Sequence, residues 1–385
     1  MISCPRNGST SIAYSLAILF ILLSPVTGAG YAFDSASCSP EAIQYINLQM
    51  RRAVTISVNT VTVLNQGGLR VPTAIMDRIG DLIGVTNPIG YIKAVFTGGQ
   101  MPGTNGQLQQ ISGIASYTQL LPNFDSSAPP AANGADAQGN LLIFCNSNRL
   151  GLVRGITTYN TVDRYGTVHG GRNIQQVYFR QPYYQCQPGA TAFMVHSAQG
   201  HADRITVCEW LLEPFINHWV QGESWDTRIT INNMRSLLPA QPSNPMSPGI
   251  PIELENLIQS RNQWLERIGV SNLPNWNRMS DIDMTVGFDS WMIYILTQTR
   301  AGGFRVGFSN NAITRFRGWP TDGWYRAAAT RYFGHLRSLT YMLVAQVVYN
   351  YYVGLLVRYD GSWDGFFEPG ERVPGFDFGL DRIPA

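Results

Sequence analysis

The stretch "GFDSWMIYILTQT", Gly287 to Thr299, carries a single charge, Asp289, ahead of an apolar run from Trp291 to Leu296. No polar face interrupts that run at helical spacing, so it reads as a helix buried on all sides. Asp289 or Ser290 is placed to cap it. Further helical patterns surround it. "ELENLIQSRNQWLERIG" precedes it with Gly269 as its stop, and "GWYRAAATRYFGHLRS" and "SLTYMLVAQVVYNYYVGLLVRY" follow, the last apolar almost all round. A proline-rich loop, "LPAQPSNPMSPGIP", divides this helical half from what comes before.

The earlier half reads differently. Ser39 is a natural N-cap and Pro40 suits the first helical position. Ile43, Ile46, Met50, Ala53, Ser57, Val61 and Leu64 then recur at steps of three and four, one face of an N-terminal helix. Residues 97–140 are rich in Gly, Pro, Asn, Ala and Ser and read as surface loop around one short helical segment. Three runs, "NLLIFC", "QQVYFRQPYY" and "RITVCEWLL", combine branched and aromatic residues between turn formers and are the best strands. A short sheet followed by packed helices makes the expected class α+β, with a small, mainly antiparallel sheet. The expected organisation is an N-terminal helix and sheet over residues 33–240 and a helical region over 241–385.

The chain of 385 residues has 14% charged residues, 44% hydrophobic residues and a net charge of +2. No basic footprint for nucleic acid and no acidic solvating tail is visible. At the N-terminus, Arg6, the apolar run Ile12 to Leu23 and the small residues between Ser24 and Ala32 follow the grammar of a secretory leader. A bilayer span needs about 20 apolar residues, more than this run supplies. The leader is placed at residues 1–32, with the mature chain beginning near Gly30 or Phe33, and no second apolar stretch is long enough to span. The only Asn-x-Ser/Thr sequon, at Asn7, falls inside the leader.

Cys4 leaves with the leader, and Cys38, Cys145, Cys186 and Cys208 remain. An even count in an oxidising compartment favours two disulfides. Of the three possible pairings, Cys186 with Cys208 and Cys38 with Cys145 is preferred. No two of these cysteines stand close enough for a CxxC metal knuckle.

Catalytic motifs are sparse. "HSAQGHAD" brings His196, His201 and Asp203 together, but a five-residue step on a helix turns the second imidazole about 140° from the first. A solvated turn before "RITVCEW" is the favoured reading there. No Gly-x-Ser-x-Gly elbow, Walker loop or dinucleotide fingerprint occurs. Glu209, Glu213, Glu223 and Asp226 could serve a carboxylate-pair glycosidase, although surface charge is their ordinary role.

The order of these features resembles the secreted fungal aspzincin metallopeptidases, the deuterolysin and peptidyl-Lys metallopeptidase group. "RITVCEWLL" looks like the family's last strand, "AQVVYNYYVG" resembles its terminal helix, and Asp322 and Tyr325 stand at the Asp-x-x-Tyr spacing of its later motif. On that pattern "YILTQ" occupies the place of the family's "HELTH". Tyr294 replaces the first histidine, Ile295 the glutamate and Gln298 the second histidine. The resemblance implies one metallopeptidase-like domain over residues 38–357 with a zincin-like helical half. It also implies a zinc cofactor whose ligands are missing here.

A phenol of ordinary pKa near 10 and a neutral amide are poor ligands, and an alkyl chain is no base. The expectation is therefore a secreted, catalytically inactive relative, an effector or other binding protein for a protein or peptide ligand. Trp291, Trp324 and Tyr325 are its possible groove residues. Two other readings stand beside it: a hydrolase using the carboxylates or the His196/His201/Asp203 cluster, and a structural wall-associated protein.

Overall fold

The computed structural model describes residues 29–65, 73–102, 107–125, 134–148, 151–152, 159–160, 186, 190–196, 201–222, 281–304, 313–317, 323–329, 331–352, 355–361 and 363–366. Its class is α+β, with helices packed on a mixed sheet.

The strands are β1 (Gly30–Phe33), β2 (Gly99–Pro102), β3 (Leu108–Ile111), β4 (Gln119–Leu120), β5 (Leu141–Phe144), β6 (Gly151–Leu152), β7 (Tyr159–Asn160), β8 (Ala190–Val195), β9 (Asp203–Val207), β10 (Ile313–Arg317), β11 (Leu355–Val357) and β12 (Trp363–Phe366). Six of them form the main sheet in the order β10-β8-β9-β5-β1-β4. The pairings β4 with β1, β1 with β5 and β5 with β9 are parallel, and only β8 and β10 are added antiparallel. This corrects the expectation of a mainly antiparallel sheet. Every residue of β1, β5 and β9 is buried, because helices and loops cover both faces. β1 and β5 accordingly read as short continuous apolar runs with no alternation to mark them, whereas β9 buries Asp203 and Arg204 as well.

The two-residue period of the strands sorts their side chains to opposite faces. Tyr31, Phe33, Leu141, Ile143, Ile205 and Val207 join the main core with the helices. Ala32, Leu142 and Phe144 face a smaller cluster with Phe124, Ala135 and Ala202. The main core is contiguous and draws on both the earlier and the later half of the chain.

The first helix, α1, spans Pro40–Asn65. Ser39 Oγ accepts the Ala42 amide at 3.2 Å, the N-cap that the sequence predicts. Two further helices follow, α2 (Thr73–Ile83) and α3 (Pro88–Thr97). The next segment is a β2–β3 hairpin and a 3-10 turn at Ile114–Ser116, in place of the expected loop and helix. "RITVCEWLL" divides at Cys208: the strand stops at Val207, and α4 runs Glu209–Val220.

The later helices are α5 (Asp281–Met284), α6 (Phe288–Leu296), α7 (Gly323–Ala329) and α8 (Ser338–Tyr352), with a 3-10 segment at Arg331–Leu336 between the last two. α8 is buried from Ser338 to Tyr351 except at Leu339, as its all-round hydrophobicity predicts. It ends at Tyr352, and β11 and β12 then pair as a hairpin, so "GLLVRY" does not continue the helix. The segments "QQVYFRQPYY", "LPAQPSNPMSPGIP" and "ELENLIQSRNQWLERIG" lie outside the described residues.

α6 lies against α1 and α8. Its N-cap is Gly287, with no side-chain cap, so neither Asp289 nor Ser290 caps it. Asp289 sits in the first turn, where the helix dipole favours a carboxylate, and accepts from Arg52 Nε of α1 at 3.1 Å and from the Ser290 amide at 2.6 Å. Ser290 donates to Gln346 of α8 at 2.8 Å, and Gln346 Nε2 donates to Thr285 Oγ1 at 2.7 Å and Asn350 Oδ1 at 3.0 Å. Polar groups in a dry helix interface need such partners, and these residues supply one another's.

Candidate functional site

Tyr294 lies in the last turn of α6, which ends at Leu296, and Gln298 follows in the turn after it, so the four-residue spacing of a His-x-x-x-His pair runs past the end of the helix. Their surroundings are those of a packed interior. The Tyr294 ring is half-buried and meets Phe316 of β10 edge to face, with centroids 5.2 Å apart. Ile295 is fully buried. Gln298 is buried just beyond the helix end, and its Nε2 donates to Ser338 Oγ at the start of α8. Asp322 lies outside the described residues, so its place relative to this face is not described.

Two of the three residues expected to line an aromatic groove are core residues. Trp291 is 0% exposed and Trp324 3%, so both are core residues. The indole of Trp324 donates to the Tyr359 carbonyl at 3.1 Å, which gives its polar edge a partner inside the fold. Tyr325 belongs to α7, and its side chain lies outside the description.

His196 and Asp203, expected in a solvated turn, are buried; residues 197–200 between them lie outside the described residues. β8 and β9 pair Val195 with Arg204, so the next residue pair in that ladder is His196 opposite Asp203. The two side chains are 3% and 1% exposed, with Nδ1 of His196 3.5 Å from Oδ1 of Asp203. His201 turns away to Asp136, its Nδ1 3.0 Å from Oδ2. Asp136 also accepts from the Ala202 amide at 3.2 Å and lies 3.4 Å from the Arg204 guanidinium. The two imidazoles thus serve two different carboxylates and do not converge on one centre.

Arg300, just past α6, completes the buried pair. Its amide donates to Asp203 Oδ2 at 2.8 Å, its Nε lies 3.5 Å from Oδ1, and its Nη1 donates to the His201 carbonyl at 2.7 Å. Burial holds the nearby Tyr117 phenol well above the ordinary tyrosine value, and the Asp203 charge adds to the effect. This cluster locks the end of α6 to the β8–β9 hairpin. A general base must reach a substrate proton, which a dyad this deeply buried does not offer. Asp136 and Arg300 carry no motif signal, because chain separations of 65 and 97 residues join them to His201 and Asp203.

The remaining candidates are dispersed. Glu209 and Glu213 are exposed on α4, while Glu223 and Asp226 lie outside the described residues. Among the described residues, no three His, Cys, Asp or Glu side chains are grouped to hold a metal ion.

The cysteines do come together. Cys38 meets Cys145 with Cα atoms 4.9 Å apart, and Cys186 meets Cys208 at 5.1 Å. These separations are compatible with two disulfides and correspond to the preferred pairing. Cys145 and Cys208 directly follow β5 and β9, adjacent parallel strands. Open parallel sheets usually hold ligands beyond the carboxyl ends of such strands. Here both disulfides occupy that edge.

Comparison with known proteins finds no match to any family model, curated protein or solved structure. The site must be read from its own chemistry.

Proposed function

We propose that this is a secreted, disulfide-bonded binding protein on a zincin-like scaffold whose metal centre has been replaced by packed side chains. The observation that carries the reading is the trio on and beside α6. Tyr294 is packed on Phe316, Ile295 is buried among apolar residues, and Gln298 is engaged by Ser338. In the aspzincin pattern these positions hold two imidazoles and the general base. Zinc catalysis takes about three lone-pair ligands and a base for the bound water. A phenol, an alkyl chain and an amide supply neither.

Secretion is supported by the two cysteine pairs at disulfide distance. Among the described residues, no helix is long and apolar enough to cross a membrane. The low charge supports a protein or peptide partner over nucleic acid. Trp291 and Trp324, being core residues, offer no surface to that partner.

The test is metal content after zinc exposure of the secreted protein, with casein digestion followed on the same sample. The expected result is no stoichiometric zinc and no digestion; about one tightly held zinc per chain together with proteolysis would overturn the proposal. A Tyr294→His/Ile295→Glu/Gln298→His variant probes the scaffold separately. It is expected to gain zinc affinity, and a variant that folds but takes up no zinc would count against the zincin-like alignment of α6.

A further inference from the structure

We draw no further inference here: the strongest candidate, the buried His196–Asp203 pair where the β8–β9 hairpin meets the end of α6, belongs to the site already described and, with Arg300 as its counter-charge, defines no ligand class of its own.

Discussion

Asp289 shows how much a single side chain determines in this fold. It is fully buried, and its charge is answered by Arg52, itself 4% exposed, on a helix 237 residues earlier in the chain. Removing one partner strands a charge in the core, at a cost of about 3–5 kcal/mol, whereas replacing both with apolar groups of similar volume is often close to neutral. Asp289→Leu alone is therefore expected to lower the urea midpoint sharply, and Arg52→Met/Asp289→Leu to recover most of the loss. A double variant no better than the single one would show that the pair acts through more than its charge.

The tyrosines give a second prediction at this scale. Burial raises Tyr31 to about 12, with Arg51 pulling the other way, and pushes Tyr117 and Tyr341 upward as well. The folded state thus keeps protons that the unfolded chain releases above about pH 10. The contribution of Tyr31 is full below that pH and is lost as pH rises toward 12, and those of Tyr117 and Tyr341 are lost at higher pH still. Thermal midpoints should fall steeply over this window, with tyrosinate absorbance lagging behind that of free tyrosine until unfolding. Early, complete titration in the folded protein would contradict the burial.

Among individual residues, the sequence made the identities at 294, 295 and 298 readable but not their neighbours. A linear motif records spacing along the chain. Partners such as Phe316, Ser338 and Arg300 are set by tertiary packing.

At the scale of elements, the helices with strong local signals were the legible ones. α1 announced itself by its cap and its three- and four-residue spacing, and α8 by its uniform apolarity. Of the central strands, β5 and β9 fall in runs that read as strands, whereas β1 was obscured because its four buried residues, "GYAF", look like the small-residue exit of a leader. β1 lies between β4 and β5, and the Gly30 amide donates to Asn140 Oδ1 at 2.9 Å. Of the two starts the sequence allows, only Gly30 leaves this strand whole. On the proposed secretion, N-terminal sequencing of the processed chain should find a first residue at or ahead of Gly30. A start at Phe33 would remove most of an interior strand and contradict the observed sheet.

Across the whole molecule, the disulfides bind distant parts of the chain to one edge of the sheet. Cys38–Cys145 spans 107 residues and ties the approach to α1 to the end of β5, while Cys186–Cys208 spans 22 and secures the junction of β9 with α4. Chain-entropy arguments assign about 5 kcal/mol to the longer loop and about 3 kcal/mol to the shorter. Paired Cys→Ser substitutions, compared by urea unfolding, should therefore cost more for Cys38/Cys145 than for Cys186/Cys208. Equal or reversed costs would mean that local strain or residual unfolded-state structure outweighs loop closure. The placement also bears on function. One bridge lies at the carboxyl end of each of two adjacent parallel strands, β5 and β9, the edge beyond which open parallel sheets usually hold ligands. If the bridges serve only to hold the scaffold, a partner-binding surface should survive loss of the shorter one in any variant that stays folded.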